Sequence, residues 1–427
     1  MNYSNIFVIL FICGTAINFL LDHTLEAVDF GFRKKHGKEV PEGYEEYFDS
    51  STLEKTVKYE NAKYFFYIPK SIVFLALNLS LVFSGFYVEV FKWSWNLTKN
   101  AYLTAILFSL ITSVPKDIIS IPFDLFREFK IEKKYGFSTM NFKMWLADEI
   151  KGLLVSLVIS LPLLCLAMAV LIHIKSWWFI LSIVIVVFSL GLSFIYPVLL
   201  APIFNKFTPL EEGELKERLG ALLEKVGFKA SGIYVMDASK RSKHSNAYFT
   251  GFGKSKRVVL YDTLIAQLSH EEIEAVLAHE LGHYKHHHII KKMLISIPLT
   301  FVSLFVVNLL SRIPALYEGF GFGIVSSLEE SSQVLGMQQL LGIFLLSLVF
   351  EGFTFITSLI SNCASRKDEF QADKFSKDLC NSGKPLATAL IKLNKENLSE
   401  CSVPKIYSLF NYNHPPLMDR INAVTKD

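Results

Sequence analysis

Seven stretches of the chain are long and apolar enough to cross a bilayer, and polar segments of very unequal length separate them. The clearest, residues 153–174 and 177–204, contain no Lys, Arg, Asp or Glu. Only Lys175 and Ser176 stand between them, so they predict a tight membrane hairpin. Weaker runs predict spans over residues 6–21, 71–91, 101–121, 293–311 and 335–364. No Lys or Arg precedes the first and no small-residue cleavage site follows it, so it reads as a retained helix with its N-terminus outside.

Basic residues alternate with this pattern. Arg33, Lys34, Lys35 and Lys38 follow the first span, Arg127, Lys130, Lys133 and Lys134 the third, whereas Glu318, Glu329 and Glu330 follow the sixth. The positive-inside rule therefore places the loops after odd-numbered spans in the cytoplasm, and with them both large polar regions. The chain divides into residues 1–204 with five spans, a polar region at 205–292, two spans within 293–364 and a polar C-terminal part at 365–427.

In the first polar region, Thr208-Pro209-Leu210-Glu211-Glu212 predicts a capped helix start continuing amphipathically to Lys225. Residues 232–236 and 257–261 are β-prone, and a polar loop containing Asn246 and Gly251 joins them. The expected fold is mainly α: a polytopic membrane protein with a small α+β domain whose sheet edge can bind extended peptide.

Composition agrees, because 51% hydrophobic and only 19% charged residues do not suit a soluble chain of 427 residues. The net charge of +3 comes from basic residues spread through juxtamembrane loops, which fits contact with membrane lipid and excludes a nucleic-acid footprint. Five cysteines, odd in number and scattered, imply neither a disulfide framework nor a zinc site.

The chemistry concentrates at His279-Glu280-Leu281-Gly282-His283. On a helix, imidazoles four residues apart share a face and can hold one Zn²⁺, and Glu280 beside them can take a proton from water that the metal has acidified. A helix is expected: Ser269 can cap it, Glu271 and Glu272 suit its first turn, and Ile273, Val276, Leu277 and Leu281 recur at helical spacing. So short a pattern also arises by chance, so a third ligand has to decide. Glu369 offers one, with Asp373 on the same helical face to hold a ligand imidazole through its free N–H. A solvated charged helix is the bland alternative. Two crossings separate His283 from Glu369, so both lie on one side of the membrane and can meet.

The chain resembles the type I CAAX prenyl protease family over nearly its whole length. The likeness is carried by the signature, Glu369-Phe370-Gln371-Ala372-Asp373 and residues 122–126, 131–137, 201–210 and 240–249. Asn413-His414-Pro415-Pro416 ahead of Arg420 adds to it. The resemblance implies seven transmembrane helices around a water-filled chamber, with a zincin-like (gluzincin) catalytic domain closing the cytoplasmic end. It implies that Asn246 binds substrate backbone, that His414 donates to the oxyanion, and that Arg420 supports the ligands together with Asp373. The implied substrate is a prenylated peptide or protein that loses its C-terminal tripeptide, with cuts further upstream in some members. The implied site is the endoplasmic reticulum or inner nuclear membrane of a eukaryote, or a bacterial inner membrane.

Such a chamber would accommodate Glu351 and Asn308 at membrane depth, although Glu351 could equally pair with another helix. His286-His287-His288 reads as a solvated turn, and Asn96-Leu97-Thr98 as a glycosylation sequon in an outside loop. Two rival functions are a quality-control protease indifferent to prenylation and a transporter or receptor with a structural zinc.

Overall fold

The computed structural model describes residues 2–250, 256–323 and 331–426. Gly251, Glu329 and Glu330 lie outside them. Seven helices are long and apolar enough to cross a membrane: Ile6–His36, Ser50–Phe83, Ala101–Tyr135, Phe142–His173, Trp177–Phe204, His288–Leu310 and Ser332–Glu351. Several extend well beyond their apolar runs. The first has 31 residues, about 46 Å at 1.5 Å per residue, against a hydrocarbon core of about 30 Å. Its last turn carries Arg33, Lys34, Lys35 and His36, which suit the negative end of the helix dipole.

Two expected boundaries are corrected. The second span ends at Phe83, not near residue 91, because Gly85 adopts φ +76 and turns the chain into a separate helix, Phe86–Thr98. Hydropathy continues through that turn and hides it. The sequon consequently lies on this helix rather than in a loop, and the Thr98 hydroxyl is engaged with the Ser94 carbonyl and Thr104. The seventh span ends at Glu351, not near residue 364. The chain breaks at Gly352-Phe353, and a new helix, Thr354–Cys380, begins. A Cβ on Gly352 would stand 2.4 Å from the Gly14 carbonyl carbon, so the break is where the chain crosses the first span backbone to backbone.

A large apolar core holds the spans together at the end of the bundle remote from the polar domain, and a smaller cluster of Tyr59, Ile131 and Tyr135 joins the second and third spans at the other end. The large core contains Phe11, Phe91, Phe108, Trp177, Tyr317 and Leu341. Burial is uneven among the spans: 6% of the most apolar window of the third is buried inside the protein, against 50% for the seventh. Among the spans lie cavities of about 270 and 390 Å³, both lined by Lys116 and Glu351. Glu351 thus lines both cavities and makes no ion pair among the described residues. Asn308 is instead buried between helices, where its side-chain oxygen accepts from Arg312 at 3.3 Å; packing, not the cavity, accommodates it.

The polar domain contains a four-stranded sheet, β1 (Phe207–Pro209), β2 (Ile233–Met236), β3 (Ala247–Thr250) and β4 (Arg257–Tyr261), in the order β1-β2-β4-β3. Thr208 therefore lies on a strand, antiparallel to β2, and the amphipathic helix starts later, at Glu214–Val226 after Gly213. β2 and β4 run parallel, and the supposed loop between them contains β3, antiparallel to β4 and on the sheet edge. One face of the sheet, the Glu214–Val226 helix and the helix His270–Lys285 share a core that includes Leu219, Val258, Leu260, Ile273, Leu277 and Leu281. C-terminal helices Lys384–Glu396 and Leu417–Thr425 cover the other side of His270–Lys285 through Leu386, Ile391 and Ile421 against Ala275.

Candidate metal centre

Helix His270–Lys285 starts with a capping box in which Ser269 accepts from the Glu272 N–H and Glu272 accepts from the Ser269 N–H. It packs along Thr354–Cys380 at very short range. The closest approach is at Gly282, whose missing Cβ would stand 2.8 Å from the Ala372 Cα. The Ser376 hydroxyl donates to the Ala275 carbonyl at 2.7 Å and fixes the register of the pair.

That register brings His279, His283 and Glu369 together, with one potential ligand atom from each lying within 4.8 Å of the others. His279 Nε2 is 3.2 Å from His283 Nε2 and 3.4 Å from Glu369 Oε2, and His283 Nε2 is 3.3 Å from Glu369 Oε1. Ligand arms of about 2.0–2.1 Å meeting at the tetrahedral angle put donor atoms about 3.3 Å apart. The nitrogen–nitrogen edge and the approach of each imidazole to a Glu369 oxygen, a different oxygen for each, lie close to that figure. Glu369 Oε2 is also buried without a hydrogen-bond partner, a costly state for a carboxylate oxygen that a cation would relieve. The donor set fits a divalent metal that takes nitrogen and oxygen ligands.

The surrounding residues orient these donors. Asp373 is fully buried and accepts from His279 Nδ1 at 2.8 Å, which turns Nε2 toward the other two ligands. Arg420 holds Asp373 in a bidentate grip, Nε to Oδ2 at 2.9 Å and Nη2 to Oδ1 at 2.6 Å. Burial disfavours the Asp373 charge, but Arg420 and His279 outweigh it and hold the carboxyl below its ordinary range. Burial likewise opposes the charge of Glu369, yet the two imidazoles hold it far below the usual carboxylate range. Burial also disfavours a charged His279, but Asp373 and Glu369 prevail and raise it to about 9.

His288 corrects the expectation of a solvated turn. It is 1% exposed; its Nδ1 accepts from His283 Nδ1 at 2.9 Å and its Nε2 donates to Gln371 Oε1 at 3.0 Å. It therefore does for His283 what Asp373 does for His279. Five positions separate His288 from His283, which is off-face on a continuous helix. The partners meet because His287 adopts a left-handed conformation, φ 56, and restarts the helix. The histidine run was the visible signal; nothing local announced the left-handed residue.

Glu280 lies beside the cluster, and burial raises its carboxyl above the ordinary value despite the two imidazoles. His414, 57% exposed, points Nε2 at Glu369 Oε1, 3.5 Å away, while its Nδ1 is 2.8 Å from Asn413 Oδ1. Desolvation lowers it below the usual histidine range, with Arg420, His279 and His283 acting in the same direction and Glu369 against. Asn246 is exposed at the head of β3, with its side-chain oxygen accepting from the Ala247 N–H at 2.8 Å. Among the described residues it makes no hydrogen bond or ion pair with the three-residue cluster; β3 packs on His270–Lys285.

Comparison with known proteins agrees with this geometry. Residues 209–427 match "Peptidase family M48", and residues 30–206 match "CAAX prenyl protease N-terminal, five membrane helices". The chain is 32% identical over 411 residues to CAAX prenyl protease 1 of Saccharomyces cerevisiae, covering 92% of this chain and 90% of the relative. It is 33% identical over 363 residues to a CAAX prenyl protease 1 homolog of Homo sapiens, 75% of this chain and 73% of that one. The crystal structure of S. mikatae Ste24p superposes with a TM-score of 0.88 at 31% identity, covering 98% of this chain and 99% of the other. A two-histidine, one-carboxylate cluster on a multi-helix membrane scaffold with these relatives has one reading: the chain belongs to peptidase family M48 and is a membrane metalloprotease of the CAAX prenyl protease group.

Proposed function

We propose that the resident metal is one Zn²⁺ held by His279, His283 and Glu369, and that the enzyme cleaves prenylated CAAX-type peptides to release the C-terminal tripeptide. The observation that carries the metal assignment is the 3.2–3.4 Å spacing among the two imidazole nitrogens and the Glu369 carboxylate, one oxygen of which is buried without a hydrogen bond. The substrate assignment rests on the names of the relatives and on the membrane scaffold, since an isoprenoid concentrates its carrier in the bilayer. Bound zinc supplies Lewis acidity, polarising the scissile carbonyl and acidifying water.

Glu280 is the general base. It takes the proton of the attacking water and returns it to the leaving amine, and burial brings its pKa nearer the operating range, as both transfers need. His414 donates from Nε2 to the developing oxyanion. A neutral ring can do so only if Nδ1 is the accepting nitrogen, so Asn413 must present its amide N–H₂, half a rotation from the orientation in which Oδ1 faces the ring. Asn246 holds substrate backbone at the start of β3, whose free edge pairs with an extended peptide. The basic loops after the first and third spans support a cytoplasmic catalytic side, and a eukaryotic host would place the enzyme in the endoplasmic reticulum or inner nuclear membrane.

The test is Glu280→Gln with paired readouts. Metal content should stay at one zinc per chain while hydrolysis of a prenylated peptide falls about 10²–10⁴-fold. Unimpaired cleavage would refute the base assignment. Equal chelator-sensitive cleavage of a matched unprenylated peptide would refute the substrate class and favour prenyl-independent proteolysis.

A further inference from the structure

A groove of about 520 Å³ lies between the second and third spans at the end that adjoins the polar domain, lined by Phe65, Phe66, Pro69 and Phe126 and bounded by Lys130 and Lys134. Its volume falls within the range of small-molecule sites. Phe65 and Phe126 are 59% and 50% exposed, so its aromatic walls are open on one side.

On the second span the groove and the cavity beside Lys116 and Glu351 occupy opposite sides of the helix. On the second span, the cavity is lined by Tyr67, Ser71, Phe74 and Asn78. At about 3.6 residues per turn, Phe65, Phe66 and Pro69 project from the opposite side of that helix. The groove also sits where composition changes: the second helix is charged from Glu54 to Lys70 and apolar afterwards, as at a headgroup boundary.

Charge complements this shape. Lys130 and Lys134 occupy one end, no carboxylate lines the groove, and neither lysine makes an ion pair among the described residues. Neighbouring Lys70 is differently placed, with Asp124 at 3.7 Å. Open aromatic walls capped by two ammonium groups that no carboxylate neutralises suit a molecule with an anionic head and a hydrocarbon tail. We infer that this groove binds an anionic phospholipid, with an acyl chain along Phe65, Phe66 and Phe126 and the phosphate between Lys130 and Lys134. The site is separate from the metal centre and does not depend on the substrate assigned above.

Native mass spectrometry of the detergent-purified, zinc-loaded protein tests it. Phosphatidylserine and phosphatidylcholine of identical acyl composition are titrated in parallel. Each lysine near an anionic headgroup is worth about fivefold, so the wild type should retain phosphatidylserine about 30-fold better. Lys130→Gln with Lys134→Gln should remove that preference and leave peptide hydrolysis unchanged. Ala62→Phe, which fills the groove without altering charge, should reduce retention of both lipids. Soluble glycerophosphoserine should not compete, since it lacks the tail. Equal retention of the two lipids by the wild type, a preference that survives both variants, competition by the soluble headgroup, or displacement of the lipid by a prenylated peptide would each overturn the assignment.

Discussion

Gly282→Ala should disable the metal centre while leaving the protein folded. The new Cβ would stand 2.8 Å from the Ala372 Cα, 3.1 Å from its carbonyl oxygen and 3.2 Å from its Cβ, whereas ordinary contact begins at 3.4 Å. The nearest atoms are backbone, so no side chain can swing aside, and the helices must separate locally by about 0.6 Å, the difference between 3.4 and 2.8 Å. Stability changes little: alanine gains about 1 kcal/mol of helix propensity, overpacking costs about 1–3 kcal/mol, and the net loss is about 0–2 kcal/mol. Function is far more sensitive. His283 is the next residue, Glu369 lies one turn before Ala372, and metal–ligand distances tolerate about 0.2 Å. Metal affinity should drop, and kcat/KM should fall about 100-fold, as misplacements of this order do. The control is Gly220→Ala on helix Glu214–Val226, where an added Cβ meets nothing within 4 Å; it should be neutral or slightly stabilising. Thermal melting, metal content and peptide hydrolysis are measured for both. Wild-type metal affinity and turnover in Gly282→Ala would refute the view that this contact sets the ligand geometry.

Two further outcomes follow from the ligand surroundings. His288→Ala removes the partner of His283 Nδ1 and should weaken metal binding about 10–100-fold in a chelator competition, with activity largely restored at saturating zinc; an activity loss that excess zinc cannot restore would contradict an orienting role. Because His279 in the metal-free enzyme titrates near 9, metal must displace its proton at pH 7, so affinity should rise with pH up to that value, and calorimetry in buffers of different ionisation enthalpy should find about one proton released per metal. The same group stabilises the metal-free protein fully below its unfolded pKa of 6.5, and that contribution is lost as pH rises through about 9.

Short-range geometry explains most of what was legible before any coordinates. Helix His270–Lys285 carries its own start signal in Ser269 and Glu272, and the four-residue spacing of His279 and His283 on any helix puts their rings on one face. Glu369 was a candidate as the third ligand that the signature needs, on one helical face with Asp373, and the two crossings between it and His283 allowed them to meet although the seventh span ends at Glu351. Asn246 and His414 were visible only through family resemblance, because a lone exposed Asn and a His before proline are ordinary surface residues. The edge strand β3 was hidden because four residues in a polar stretch do not show a period; pairing with β4 makes it a strand.

The amino-acid order by itself determined the seven apolar crossings, the signature helix and the two-histidine face, because hydropathy and helical periodicity act over a few residues and need no partner. Tertiary structure decided where the seventh span breaks, how closely Gly282 meets Ala372, and that His288 turns back onto His283 through a left-handed His287. Those features depend on contacts between segments up to several hundred residues apart, Gly14 against Gly352 and Ala275 against Ser376, and on backbone conformations that hold only when such contacts close around them.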